Sequence, residues 1–532
     1  MTVTNSHHSS WCPRRPAQAP FRPAEPVLAC ERCEHARERH SVGSVDYNRQ
    51  HPQATQPPQA TPHPQAATLG ELRASGHAYL TVKQEIRRNL LARMRSGEDR
   101  FPGIVGFGQT VLPHVERALV AGHDIILLGE RGQGKTRLIR TLGGLLDEWT
   151  PAVAGCEIND HPYAPACASC KRRAAELGNA LPVTWRHRDE RYGEKLATPD
   201  TSVGDLIGDI DPVKVAEGRT LGDPETIHYG LVPRTNRGIF CLNELPDLAE
   251  RIQVALLNVL EERDIGVRGY ALRLPLDVVL VASANPEDYT NRGRIITPLK
   301  DRFGAEVRTH YPVTLTDELE LIAQEAEVAW DGADPGAELP AHITEIIARF
   351  TRLVRESPAA DARSGVSARF AITAAEAAAA AAVRRGALAG DSRDETPVAR
   401  VCDLPGIVPT LRGKIEFEVS EEGREEEILT HLLRRATADT FRARLGGADL
   451  TGILDKFAEG ETITSGELVS ASELLRRVGE VPGLAKIMQR LGMDGGESPG
   501  QAAAAVEFAL EGLYLLRRLS KETDNGLTIY GN

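Results

Sequence analysis

The chain has 532 residues, 41% of them hydrophobic, with 63 Lys and Arg against 75 Asp and Glu, giving a formal net charge of -12. That length accommodates roughly two to four domains with ample core, and the absence of a Lys/Arg-rich tract argues against a broad electrostatic grip on nucleic acid. No apolar run approaches the about 20 residues needed to span a bilayer, and the start of the chain lacks a signal-peptide core. A cytoplasmic protein with no membrane partner is therefore expected.

Residues 1–67, rich in Pro, Gln, His, Ser and Ala, are too poor in aliphatic side chains to build a core and are expected to form a disordered arm. Within this arm, Cys30 and Cys33 followed by His35 and His40 have zinc-knuckle spacing. From Thr68 the texture changes. Leu69, Leu72, Leu80, Val82, Ile86, Leu90 and Leu91 recur at mostly helical spacing, and a further helix is expected over Val111 to Ala121.

A buried strand, Ile125 to Leu128, then feeds the run Gly129-Glu130-Arg131-Gly132-Gln133-Gly134-Lys135-Thr136, which precedes a helical segment. This is a Walker A phosphate loop in its proper setting. Its glycines let backbone N–H groups curl around phosphates, Lys135 reaches the terminal phosphates, and the Thr136 hydroxyl is placed to ligate Mg²⁺. ATP with Mg²⁺ is the expected ligand.

Between this loop and the next strand lie Cys156, His161, Cys167 and Cys170, a C-x4-H-x5-C-x2-C pattern. All four are zinc ligand types, suited to closing a tetrahedral structural site that pins an irregular insertion. The alternative is a loop of reduced cysteines.

A second buried strand runs from Gly238 to Asn243, followed by Glu244, and a third from Leu276 to Ser283, ending near Asn285. Apolar strands separated by helices imply a parallel α/β sheet. Beside the phosphate loop an acidic pair is expected, one member for the Mg²⁺ shell and one to polarise the attacking water. Here it reads Asn243-Glu244: Glu244 suits the general base, while Asn243 brings a neutral oxygen where a carboxylate is usual. Asn285 is placed to orient water against the γ-phosphate, and Arg302 to act on a neighbour's nucleotide as an arginine finger. After Pro312 the chain turns helical, with Thr316 capping a run from Asp317 to Val328, then Ile343 to Val354 and Ile372 to Arg385. Beyond about 395, Gly413 to Val419 has strand character, and helices are expected over Glu425 to Arg444, Glu467 to Arg477 and Gln501 to Arg518.

In the order of these motifs the chain resembles the AAA+ ATPases of the magnesium chelatase I-subunit and MoxR type, over about residues 100–390. Gly129 to Thr136 looks like that family's Walker A, and Gly230 to Ile239 is similar to its approach to Walker B. Asn285-Pro-Glu287 looks like its sensor 1, and Asp301-Arg-Phe-Gly304 like its arginine-finger box. Thr198-Pro-Asp200, Val203-Gly204 and Asp209 to Asp211 are similar to the chelatase-type insertion, and Arg369 falls where a sensor 2 arginine would begin a lid helix. The resemblance implies an AAA+ core over 68–312, a helical lid over 313–395 and, beyond it, a mainly helical domain over 396–532. It also implies a homo-oligomeric ring of about six subunits that hydrolyses ATP to remodel a protein client, often one carrying a von Willebrand factor A domain.

Three other readings share these motifs. A motor subunit of a true magnesium-porphyrin chelatase would need other subunits for the porphyrin chemistry. A transcription regulator of the sigma-fifty-four-interacting kind would carry a Gly-Ala-Phe-Thr-Gly-Ala loop and usually a helix-turn-helix, neither of which is found. An ATP-gated scaffold with little turnover would fit the Asn243 substitution.

Overall fold

The computed structural model describes residues 64–218, 226–261, 265–267, 270–272, 274–286, 294–328, 336–361, 364–390, 395–458, 460–493, 498–524 and 526–532. The cysteines and histidines of the N-terminal arm, and Glu287, lie outside these residues. Five strands, β1 (Ile125–Leu128), β2 (Tyr192–Leu196), β3 (Gly238–Asn243), β4 (Val278–Ala284) and β5 (Ala305–Arg308), form one sheet in the order β5-β1-β4-β3-β2. Every neighbouring pair is parallel.

The strands at the centre of the sheet are apolar because both faces are covered. Ile126, Leu128, Phe240, Leu242, Leu280 and Ala282 enter one apolar layer, while the alternate residues Ile125, Leu127, Ile239, Cys241, Val279 and Val281 enter the other. The register sets Leu128 beside Ala284, and Ala282 beside Leu242. The carboxyl ends of β1, β3 and β4 are therefore level, and the loops that follow them converge on one edge, the usual ligand edge of such sheets.

Two capped helices, Leu69–Ala74 and Val82–Ser96, precede the sheet, the second opened by a capping box between Thr81 and Gln84. In the helical region, Thr314 caps the first helix, not Thr316. Its hydroxyl accepts the Asp317 N–H at 3.0 Å while the Asp317 carboxylate accepts the Thr314 N–H at 3.0 Å, so the helix runs over Leu315–Glu325. The helices Ala341–Arg355 and Ala368–Ala389 follow, each longer than the periodicity indicates.

Farther on, Glu425–Leu445, Ala471–Val478 and Pro499–Leu515 are helical. The strand expected over Gly413 to Val419 does not form. Arg412–Lys414 and Val419–Glu421 are single 3₁₀ turns, and Phe417 makes only an isolated bridge to Ala360, so no ladder of backbone partners is available there among the described residues. An antiparallel sheet of Ile463–Gly466, Leu527–Gly531 and Ser520–Asp524 closes the described chain instead. Its outer strand is polar and mostly exposed, which hides it from a reading based on apolar alternation. One continuous apolar core joins the helices before residue 395 to those after it. Among the described residues, no helix is long and apolar enough to cross a membrane.

Candidate active site

The phosphate loop leaves β1 and enters the helix Lys135–Thr141 through Gly134, which holds φ +72°. Gly132 has φ +72° as well, and a Cβ there would meet the Ser367 hydroxyl at 1.9 Å, so this position requires glycine on both conformational and steric grounds. The loop is anchored from below by Thr309, just after β5, whose hydroxyl donates to Gln133 Oε1 at 2.8 Å and whose N–H donates to the Leu128 carbonyl at 2.8 Å.

The Lys135 side chain is buried. Its ammonium donates to the carbonyls of Gly129 and Glu130 and to Asn285 Oδ1 at 2.6 Å. Asn285 Nδ2 donates in turn to Glu244 Oε2 at 2.8 Å. Lysine, asparagine and glutamate thus form one hydrogen-bonded chain across the ends of β1, β4 and β3. Glu244 occupies a left-handed backbone position, φ +55° and ψ 48°, which turns the chain as it leaves β3 and is uncommon for a residue with a side chain.

Asn243 is tied on both sides. Its Oδ1 accepts the Ser283 hydroxyl at 3.1 Å, and its Nδ2 donates to Glu194 Oε1 at 2.8 Å. Glu194, on β2, also accepts from Arg140 Nε at 2.9 Å and from the Tyr192 hydroxyl at 3.1 Å. The Arg140 hydrogen bonds hold its carboxyl below the ordinary glutamate value. Sequence reasoning missed both β2 and Glu194. The signal there is weak: Arg191 to Ala197 is a short mixed run, without the apolar continuity of the neighbouring strands.

The lid meets the phosphate loop directly. The Ala368–Ala389 helix is capped by Ser367, whose hydroxyl accepts the Arg369 N–H at 3.1 Å, and the Ala368 N–H reaches the Gly132 carbonyl at 3.4 Å. Arg369 is exposed at this helix start, one turn from the loop. The Tyr311 hydroxyl donates to the Arg131 carbonyl at 2.9 Å, and the Arg131 guanidinium lies 3.8 Å from the Glu416 carboxylate. Arg302 ends the helix Thr297–Arg302 and is exposed, paired with Glu261 of its own chain.

The cysteines of the insertion come together as expected, but with a different fourth member. Ligand atoms of Cys156, Cys167, Cys170 and Asp160, all buried, lie within 4.8 Å of one another. His161 is outside this group. Its ring stacks on His77 with centroids 5.6 Å apart, and its Nδ1 accepts the Tyr163 N–H at 3.0 Å, so an aromatic nest of His77, Tyr79 and Tyr163 takes the imidazole instead. Hydrogen bonds from the Cys167 and Cys170 thiols hold the Cys156 thiol below its ordinary range, while burial pushes the Asp160 carboxyl up to about 7.

Residues 220–302 match the family model described as the Sigma-54 interaction domain. The chain is 29% identical over 206 residues to the magnesium-chelatase subunit ChlI of Anabaena variabilis, covering 38% of this chain and 57% of that protein. It is 31% identical over 226 residues to the magnesium-chelatase 38 kDa subunit of Rhodobacter capsulatus, covering 42% of this chain and 59% of that one. The chain thus spans less than two thirds of the length of each relative. A complex between subunits BchI and BchD of magnesium chelatase, based on a single-particle cryo-EM reconstruction, contains a chain that is 23% identical, with 62% of this chain and 98% of that chain covered and a TM-score of 0.32. In the order of its motifs and in its similarity across the core, the chain resembles the AAA+ proteins of the magnesium-chelatase I-subunit type.

Proposed function

We propose that this protein is a ring-forming motor that binds ATP between neighbouring subunits, hydrolyses it, and uses the cycle to remodel a protein client. The observation that carries this reading is the hydrogen-bonded chain from Lys135 through Asn285 to Glu244. It joins a phosphate-binding cation, a water-orienting amide and a general base, three functions of hydrolysis, at the ends of three adjacent strands.

The residues act as follows. Loop N–H groups and Lys135 take the phosphates, Lys135 exchanging its carbonyl and amide partners for phosphate oxygens. Asn285 then keeps Glu244 in line, and the Glu244 carboxylate accepts a proton from the attacking water. Arg302, exposed and held in a surface ion pair, is available to a neighbour's nucleotide, and Arg369 at the start of the lid helix reports nucleotide state to the lid. The oxygen donors at the site, the Thr136 hydroxyl, the Asn243 amide oxygen and the nearby carboxylates, are the hard ligands that Mg²⁺ requires. When bound, Mg²⁺ supplies charge neutralisation for the phosphates. The resemblance points to a partner protein as the client, and one with a von Willebrand factor A domain fits it.

Steady-state ATP hydrolysis with Mg²⁺, measured for the wild type beside Lys135→Ala, Glu244→Gln and Arg302→Ala, with subunit number followed by light scattering, tests the proposal. Loss of turnover in all three variants and nucleotide-dependent assembly are expected of the wild-type motor. A second reading rests on Asn243, whose amide already bonds Glu194. If the wild type binds ATP tightly without turnover, the protein is an ATP-gated scaffold and the motor is overturned.

A further inference from the structure

We infer that the insertion between β1 and β2 holds one structural zinc ion on Cys156, Asp160, Cys167 and Cys170. The site is independent of the nucleotide reading and uses a ligand that no sequence pattern indicates.

Four features of the structure support it. The four ligand atoms already lie within 4.8 Å of one another in a buried pocket, and a tetrahedral ion with about 2.3 Å bonds to sulfur needs sulfur atoms about 3.8 Å apart, a modest contraction. Backbone N–H groups point at the sulfurs: that of Asp160 at Cys156 Sγ, 3.4 Å away, and that of Cys170 at Cys167 Sγ, 3.3 Å away. Cys167 thereby caps the helix Ala168–Leu177 with sulfur where an oxygen side chain is the usual choice. Such N–H to sulfur bonds serve thiolates, the form in which cysteine binds metal.

The fourth feature is Asp160, almost wholly buried, with one carboxylate oxygen accepting the Cys167 N–H at 2.8 Å and the other, Oδ1, lacking a hydrogen-bond partner among the described residues. A buried carboxylate oxygen without a partner is costly, and a cation satisfies it. Three thiolates and one carboxylate form a closed tetrahedral set of borderline-soft ligands, which selects zinc over Mg²⁺ or Ca²⁺ and leaves no position open for catalysis. Arg173 and Lys214, together with the three cysteines, line a cavity of about 200 Å³. The ion would fasten the turn after Trp149–Val153 to the start of the helix Ala168–Leu177.

The test is zinc content of the full-length purified chain by plasma mass spectrometry, with Co²⁺ exchange followed by its thiolate charge-transfer absorption. One zinc per chain is expected, replaced by Co²⁺ with strong thiolate bands. Cys170→Ser should lose the ion, and Asp160→Asn should weaken zinc retention against a chelator by more than the about 10–100-fold that losing an outer-shell partner costs. His161→Gln should keep it. If Cys170→Ser fails to fold, the wild-type chain is titrated with a mercurial while released zinc is read with a chromophoric chelator. Release in step with modification of three thiols supports the site. Absence of zinc together with failure to take up Co²⁺, a disulfide among the three cysteines, or a zinc ion lost with His161→Gln but kept with Asp160→Asn would each overturn it.

Discussion

Asn243 Nδ2 donates to Glu194 Oε1 at 2.8 Å, so the residue read from the sequence as standing in for a Walker B aspartate is bonded to a carboxylate from the neighbouring strand. The negative charge absent from the motif is present one strand away, held by Arg140 and Tyr192. Glu194→Gln keeps an oxygen to accept the Asn243 amide but removes the charge. Turnover should fall about 10–100-fold and the Mg²⁺ requirement should rise, the scale on which metal sites lose activity when an outer-shell carboxylate is lost. Asn243→Asp combined with Glu194→Gln should recover most of that loss. ATPase titrations against Mg²⁺ decide the matter, and unchanged turnover in Glu194→Gln would remove Glu194 from the site.

Asn285 couples Lys135 to Glu244. Asn285→Ala should leave nucleotide affinity within a few-fold, because the loop N–H groups and Lys135 remain, while kcat falls by about 100-fold or more through loss of base and water orientation. Glu244→Gln preserves an acceptor for Asn285 and should trap ATP with turnover reduced at least as far. Calorimetric binding beside single-turnover hydrolysis separates the two effects; loss of binding in Asn285→Ala would mean that the asparagine is structural.

Arg302 is paired with Glu261 in an exposed bridge, an interaction worth about 0–1 kcal/mol and cheap to release. If it serves a neighbour's site, Arg302→Ala should be inactive alone and Lys135→Ala inactive alone, while a mixture of the two recovers turnover. In the mixed ring, some interfaces combine an intact loop with an intact arginine. A mixture as inactive as its parts would place Arg302 in its own chain's site or outside catalysis. Glu261→Gln should retain activity.

His342 lies wholly buried in the helix Ala341–Arg355, its ring 4.7 Å from Phe508, with both ring nitrogens lacking a hydrogen-bond partner among the described residues. Burial, and to a lesser degree the Arg444 charge, push its pKa down to about 3 from an ordinary 6.5. Between those values the unfolded chain binds the proton and the folded chain does not. This contribution to stability is thus complete above the ordinary value and is lost as pH falls toward the depressed one, with a slope of at most about 1.4 kcal/mol per pH unit. His342→Phe should flatten the acid side of a melting-temperature profile by up to that slope and leave neutral stability little changed. Parallel profiles for the two proteins would exclude the histidine as a source of acid sensitivity.

The local chemistry of the nucleotide site is legible in the sequence because it depends on contiguous residues. The glycines and lysine of Gly129 to Thr136, and the apolar runs of β1, β3 and β4, carry their meaning within a few positions, whatever they pack against. Their order implies the parallel sheet and the AAA+ family. Contacts between distant segments are decided only by the tertiary structure. Strand register brings Glu194 to Asn243, although 49 positions separate them, and the fold of a turn selects Asp160 and turns His161 toward His77. The Gly413–Val419 segment likewise alternates as a strand does, but a strand exists only where another backbone accepts its hydrogen bonds, and the described fold offers none there beyond a single bridge. Local pattern therefore specifies which groups can perform chemistry, whereas packing and backbone pairing, summed over the whole chain, specify which of them meet.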